Sequence, residues 1–425
     1  MISIDSSRLI ACMALLGGAV ACASAPGQAS RPQTITVQSG LVRGIAAADS
    51  AIASAVGTII PGAVLVVSQH GVPLHERAFG YAQLNDYAGN RLAKPRPMHV
   101  STMFDLASVT KVMATTFATM MLVDQQKIDL DAPVYTYLPD FRSSHLDSIT
   151  VRNLLQHSAG LVQWQPLYYQ ASNTSQTYTA IRDMPLQWGV GEGRHYSDLS
   201  FMLLGDIVER VSGQRLDTFL DSSLYKPLGL RTTTFNPKTK GFTEFAATEQ
   251  GNVYERHMVY DSTFGYRYRG DPTAWSRWRD HVLVGEVDDG NSFYANGGVA
   301  GHAGLFSTAS DLRVLLDMLV NRSSTKGLSY IRPAVVDQFL TLDKYGHYLG
   351  WQYAAGMPPG TFAHSGFTGT YVLGDPRDGL SIILLTNRQN LGTDRKGFFP
   401  DVGPLRDAVT RAIVSGAEAD AAAKR

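Results

Sequence analysis

Cysteine is nearly missing from this chain of 425 residues: both copies, Cys12 and Cys22, fall within the first 22 positions. Everything downstream can form no internal disulfide, and it offers neither a thiol nucleophile nor a thiolate zinc site. An excess of one charge is missing too. Lys and Arg number 37 and Asp and Glu number 37, so the broad basic footprint that attracts nucleic acid or an anionic membrane is absent. No apolar run reaches the roughly 18 residues of a membrane span. The 11 histidines are scattered, with no H-E-x-x-H and no paired spacing, which predicts no metal site. The glycine-rich stretch Gly298 to Gly304 lacks both G-x-G-x-x-G and the P-loop lysine, so no nucleotide or other cofactor is expected. Its glycines read as close packing beside a site, or as contact with substrate. No G-x-S-x-G elbow is present; His157-Ser158-Ala159-Gly160 lacks the leading glycine. No internal repeat is evident.

What remains is ordinary globular composition, 44% hydrophobic and 17% charged, in a chain long enough for one large two-lobed domain or two domains. Leu9 to Ala21 is apolar, too short to span a bilayer and about right for an export signal. Ala21-Cys22-Ala23 fits a signal-peptidase site, whereas Ala19-Val20-Ala21-Cys22 reads as a lipoprotein box ending in a lipidated cysteine. Both alternatives predict export, one with a possible lipid anchor through Cys22. Residues 1–22 are therefore expected to be a leader, 23–40 a Ser, Ala, Gln and Pro-rich tether, and 418–425 a disordered tail.

The body alternates strand and helix signals. Ala63 to Ser68 is a β-branched apolar run, and Leu74 to Tyr81 can return as its hairpin partner after the turn His70-Gly71-Val72-Pro73. From Ser108 on, Val109, Val112, Met113, Phe117, Met120 and Met121 recur near helical period. Further helices are expected at Val151 to His157, from Asp198 to a stop at Gly213, and from a cap at Thr308 or Ser310. Strands are expected at Gly350 to Tyr353, Thr361 to Leu373 and Leu380 to Thr386, with a closing helix at Ala408 to Ser415. Strands thus sit at both chain ends and helices in the middle. The pattern predicts an α/β fold of the α+β type: a mostly antiparallel sheet built from both ends, flanked by helices, with a helical lobe at about 112–300 inserted within a domain spanning 41–417. The segment Tyr254 to Asp289, dense in Tyr, Trp and Arg, reads as a lid packed on the core, or as a platform for sugars or aromatic groups.

Three short motifs carry chemistry. Ser108-Val109-Thr110-Lys111 places a hydroxyl and an ammonium three residues apart, on one helix face. The helix dipole alone is too weak to activate the serine, so a base is required. For Lys111 to be that base its pKa must fall by about 3 units from its ordinary 10.4 or so, which burial or a nearby cation can supply. Tyr196-Ser197-Asp198 follows, at the mouth of the next long apolar helix. Tyr196 can relay a proton, and Asp198 either caps the helix or faces the site. Last comes His364-Ser365-Gly366 in a strand, where glycine lets a substrate backbone lie close. The N–H of Phe367, paired with that of Ser108, can form an oxyanion hole.

Taken together and in this order, the motifs resemble the serine beta-lactamase and penicillin-binding-protein superfamily, in the branch of class C beta-lactamases, D-Ala-D-Ala carboxypeptidases and related esterases. Leu154 to Leu161 is similar to the family's LLxHxSGL stretch, and Gly297 to Thr308 to its GGxxxxAGGLxST region. The resemblance covers roughly Gly40 to Ser415. It implies an exported hydrolase, periplasmic or membrane-anchored, that forms an acyl-enzyme on Ser108. Lys111 and Tyr196 would be its proton-transfer groups, and Asp198, His364, Ser365 and Gly366 its substrate-positioning residues. Substrates would be D-Ala-D-Ala peptidoglycan peptides, beta-lactams or small esters. A non-catalytic binder of cell-wall peptides on the same scaffold is the alternative. Two positions depart from the pattern. His364 stands where beta-lactam-binding members usually carry lysine, and Asp198 where they usually carry asparagine. A neutral histidine anchors a carboxylate poorly, and Asp198 adds negative charge to a site meant to attract an anion.

Overall fold

The computed structural model describes residues 39–142, 145–322, 324–325 and 328–423. The leader and most of the expected tether lie outside the described residues. A seven-stranded antiparallel sheet forms the centre. Its strands run, edge to edge, Gln352–Tyr353, Phe362–Ser365, Thr370–Asp375, Leu380–Thr386, Gly62–Gln69, Val72–Asn85 and Arg91–Pro97. Strands from the two ends of the chain meet where Gly62–Gln69 pairs with Leu380–Thr386, in a register that sets Leu65 against Leu384 and Val67 against Ile382. The expected sheet is therefore present. Pro95 and Pro97 fall in its edge strand, where a missing N–H breaks no ladder.

Alternation along the strands splits the core in two. Ala63, Leu65, Val67, Leu373, Ile382 and Leu384 bury against two helices, Ser39–Ala55 and Gly403–Ala423. Val64, Val66, Val372, Ile383 and Leu385 point the other way, into the larger core shared with Ala309–Val320 and the helical lobe. The two terminal helices approach closely because glycines line their seam: a Cβ on Gly44 would stand 2.3 Å from the Ala412 carbonyl oxygen. Asp420 then accepts the amides of Gly40 and Leu41 at 2.7 and 2.9 Å, closing the first turn of one helix with a carboxylate from the other. The last helix thus continues through 418–423, where a tail was expected. Burial against its partner, through Val414 and Ala417, holds a stretch that composition alone leaves loose.

The expected strand Thr361 to Leu373 is a hairpin. It breaks after Ser365, turns through 366–369 with Gly369 at φ +110°, and resumes at Thr370. Between the two ends of the sheet lies the helical lobe, centred on Asp198–Ser212. Ser197 caps that helix and Gly213 ends it at φ +71°. Thr308 caps Ala309–Val320.

Candidate active site

Ser108 lies just after the short strand Phe104–Asp105, in the one-turn 3-10 helix Ala107–Val109. The residue before it, Ala107, is held at φ +46°, a left-handed conformation that costs a residue with a Cβ roughly 1 kcal/mol or more. Asp105 holds this turn: one carboxylate oxygen accepts the Ala107 amide at 2.9 Å and the other accepts the Asp288 amide at 2.6 Å. Burial, reinforced by the charge of Asp288, pushes the Asp105 carboxyl up to about 7. From Lys111 the chain winds as a π-helix to Thr116 and then as α-helix to Asp124. Val109, Val112, Met113 and Phe117 are fully buried there, which fixes the lysine's direction.

Lys111 has no exposed surface. Its Nζ donates to Ser108 Oγ at 3.0 Å and to the His302 carbonyl oxygen at 3.1 Å, and it pairs with Asp198 Oδ1 at 2.6 Å. Tyr196 stands beside them: the Lys111 ammonium lies 5.1 Å from the centroid of its ring, and its side chain lines the cleft together with Ser108. The structure therefore gathers the hydroxyl, the amine and the phenol at one point. The charge state differs from the sequence expectation. Burial pulls Lys111 down, but Asp198 and then Tyr196 pull it further up, and the ammonium is held above its ordinary value. Tyr196 is itself pushed up by burial, with Lys111 opposing and Asp198 adding to the shift. In the resting site Lys111 is a protonated ammonium and Tyr196 a neutral phenol, so neither is free to act as a base. Asp198 is the carboxylate that faces them both.

Tyr196 is aimed by its neighbours. His157, in a left-handed turn at φ +57°, packs its ring 4.4 Å from the Tyr196 ring, and its Nδ1 accepts the Ser197 amide at 3.0 Å. The LLxHxSGL-like stretch thus supplies the support for the tyrosine. The glycine-rich segment packs in the manner expected. A Cβ on Gly301 would stand 2.0 Å from the Phe201 carbonyl oxygen, and the Gly301 carbonyl accepts from Thr115 at 2.6 Å. This close approach carries the His302 carbonyl to Lys111. The His302 ring lines the cleft beside Ser108. His195 instead stacks on Trp188 at 3.7 Å between ring centroids.

The third motif reaches the site through the hairpin turn. Gly366 passes so close that a Cβ would stand 2.3 Å from the Leu106 carbonyl oxygen and 3.3 Å from the Ala107 Cβ. Thr368 and Thr370 tie the same turn to the Asp105 and Leu106 carbonyls at 2.8 and 2.9 Å. The Phe367 amide has no protein acceptor among the described backbone pairings, and the Phe367 side chain lines the cleft with Ser108. Arg388 grips the Phe367 carbonyl through Nε and Nη2, at 3.0 and 2.9 Å. Ser365 lines the cleft as well. His364 is fully buried, and its Nδ1 donates to the Ser365 carbonyl at 2.9 Å. Burial, followed by the charge of Lys111, pulls its pKa down to about 3. It is a neutral ring 6.2 Å from the Tyr196 ring, so it brings no positive charge to a substrate carboxylate.

On one side of Ser108 the cleft opens as a hollow of about 340 Å³ that includes Arg388 and Arg406. On the other side lies a cavity of about 260 Å³ that includes Asp198, Asp288 and Asp289. The Tyr254 to Asp289 segment, expected to be a lid, packs as an aromatic cluster of Met258, Phe264 and Trp275 against Trp164 and Tyr168, and its Tyr254 and Tyr266 wall the second cavity. Sequence reasoning missed the pairing of Asp198 with Lys111, the grip of Arg388 on Phe367, and the acidic wall. The first had a local signal, an acid two residues from Tyr196. The others join residues more than 100 positions from Ser108, and no spacing rule reaches them. Among the described residues no three His, Asp or Glu side chains converge as metal ligands do, and no helix is long and apolar enough to cross a membrane.

The profile of the family described as Beta-lactamase matches residues 48–398. A Bacillus subtilis (strain 168) protein named "N-acetylmuramyl-L-alanine amidase" is 35% identical over 78% of this chain and 78% of its own. An Escherichia coli (strain K12) protein named "Putative D-alanyl-D-alanine carboxypeptidase" is 33% identical over 77% and 78%. A penicillin-binding protein homologue from Caulobacter crescentus superposes with a TM-score of 0.63 at 19% identity, covering 89% of this chain and 97% of that one. A class C beta lactamase from Rhodobacter sphaeroides gives 0.60 at 18% identity, covering 87% and 98%. The last two share the fold.

Proposed function

This chain belongs to the beta-lactamase family of serine hydrolases, and from that premise we propose that it is an exported enzyme that cleaves amide bonds of peptidoglycan peptides through an acyl-enzyme on Ser108. The observation that carries the reading is the convergence of Ser108, Lys111 and Tyr196 on one point of the cleft. The names of the relatives, "N-acetylmuramyl-L-alanine amidase" and "Putative D-alanyl-D-alanine carboxypeptidase", support the substrate class. Export rests on the sequence expectation of a leader at 1–22, with Cys22 either removed or lipidated. The catalytic domain is assigned to 41–417.

The geometry supports the following proton path. Ser108 Oγ attacks the substrate carbonyl carbon. Its proton passes to Lys111 Nζ as Lys111 gives one to the Asp198 carboxylate, so the ion pair acts as a single proton acceptor. The new oxyanion lies between the N–H groups of Ser108 and Phe367, donors fixed before the reaction begins. The C–N bond then breaks, and the departing amine takes the Tyr196 proton. The proton stored on Asp198 returns through Lys111 to Tyr196. Water repeats the cycle on the acyl-enzyme and releases the acid. His364 supports Tyr196 as a neutral ring, and Ser365 and Gly366 form the edge along which the substrate lies. Substrate carboxylates meet Arg388 and Arg406 on the far side of the cleft, taking the place of the missing lysine.

A panel of an N-acetylmuramyl-L-alanine peptide, a D-Ala-D-Ala peptide, a cephalosporin and p-nitrophenyl esters tests this reading. Release of product from one of the two peptides, lost in a folded Ser108→Ala variant, is the expected result. Binding of the peptides without any turnover would leave the scaffold as a binding protein and overturn the proposal.

A further inference from the structure

The cavity on the Asp198 side of Ser108 has an unusual wall. Asp198, Glu249, Glu255, Asp288 and Asp289 line it, and no lysine or arginine does. Arg279, which acts on Asp288, is occupied by the Val287 and Asp288 carbonyls at 2.7 Å each and by Asn252. Asp198 is already paired with the Lys111 ammonium at 2.6 Å, and others of these acids have structural partners. Glu255 accepts from Tyr168 at 3.0 Å and from the Gly290 amide at 2.7 Å, and Asp289 accepts from His302 at 2.9 Å. Asp288 receives Gln389 on Oδ2 at 3.0 Å. Two atoms have none. Asp288 Oδ1 and His302 Nδ1 lack a protein partner, although the residues are only 6% and 1% exposed. Buried polar atoms are rarely left so unless something else fills the site. The remaining wall, Trp164, Tyr254, Tyr266 and Phe367, is aromatic, and aromatic faces attract cations.

We propose that this cavity receives a protonated primary amine carried by the substrate, so that the enzyme selects acyl donors with an alkylammonium group within reach of the reacting carbonyl. An ammonium offers three N–H donors and no acceptor, which matches a wall of acceptors with orphaned oxygen and nitrogen. Burial first, and repulsion from neighbouring acids second, push the carboxyls of Glu249 and Glu255 up, and burial raises Asp288 against the opposing pull of Gln389 and Arg279. An entering cation reverses that repulsion. The inference rests on acyl transfer at Ser108 and narrows its substrate class.

Three p-nitrophenyl esters of equal chain length, ending in an ammonium, a hydroxyl or a methyl group, separate the possibilities. In the wild-type protein kcat/KM for the ammonium ester exceeds both others by about 10-fold or more, the scale of a charge partnered in a desolvated site. Asp288→Asn and Glu249→Gln each bring the ratio towards 1 while the methyl ester is hydrolysed at its former rate. As a check that needs no variant, n-butylammonium chloride inhibits methyl-ester hydrolysis competitively where sodium chloride at equal ionic strength does not. Equal rates for all three esters, or a hydroxyl ester as good as the ammonium ester, would overturn the inference while leaving acyl transfer intact. Loss of all three activities from the wild type would instead strike at the proposed function.

Discussion

Replacing Asp198 with asparagine perturbs the site at the point where its charge arrangement is least ordinary. The carboxylate stands 2.6 Å from Lys111 Nζ. At an effective dielectric of about 20, opposite unit charges that close attract by about 6 kcal/mol, or roughly 4 to 5 pKa units at 1.36 kcal/mol each. Removing it leaves burial as the main influence on Lys111, and burial lowers an ammonium. The lysine of Asp198→Asn is therefore expected to lose its proton several pH units below that of the wild type, which stays protonated throughout the working range. The consequence for catalysis follows from the proton path. With no carboxylate to receive a proton from Lys111, acylation at pH 7 slows by about 10²-fold or more, the usual scale of general-base catalysis. It recovers as rising pH frees the neutral amine. The assay is kcat/KM for a neutral p-nitrophenyl ester from pH 5 to 10, with thermal melts at each pH to confirm folding. An Asp198→Asn enzyme with wild-type activity at pH 7 and no new ionisation in its profile would refute the paired-acceptor reasoning.

Gly366→Ala forces a Cβ to within 2.3 Å of the Leu106 carbonyl oxygen and 2.2 Å of Thr370 Oγ1. It is expected to displace the Phe367 amide and lower kcat by about 10² to 10³-fold, the effect of losing one oxyanion donor, with KM little changed; steady-state kinetics checks this. His364, with its pKa pulled down to about 3, stays neutral from pH 6 to 8. Its titration therefore contributes nothing to KM for a carboxylate-bearing peptide, and KM is expected to be flat over that range in a pH series. The same shift makes the unfolded state the better proton binder between about pH 3 and 6.5. Stability thus falls as pH drops through that window, by up to about 1.4 kcal/mol per unit for this residue. His157, also pulled well down by burial, adds to it in the same direction, and urea titrations at pH 7 and 5 measure the sum.

Much of this molecule is legible where the deciding interactions are local. The run from Ala63 to Ser68, the cap and stop at Ser197 and Gly213, and the three-residue step from Ser108 to Lys111 all depend on neighbours within a turn or two. The terminal helix Ser39–Ala55 was not among the expected elements, although Leu41, Ile45, Ala48 and Ile52 already carry its buried stripe. Its stability comes from Gly403–Ala423, more than 350 residues away. The hairpin turn at 366–369 lay inside a continuous strand-like run, because Phe367 and Thr368 have good strand propensity; closure onto Leu106 overrides it. The charge of Lys111 was misjudged for a similar reason. Burial was foreseen, but Asp198 was weighed as a helix cap or substrate contact rather than as the partner that holds the ammonium.

The most direct measurement is the intact mass of the protein after exposure to a fluorophosphonate or a slowly released ester, followed by peptide mapping. The account predicts a single adduct on Ser108, absent from Ser108→Ala. Folded, unmodified protein, or an adduct on any other side chain, would contradict it.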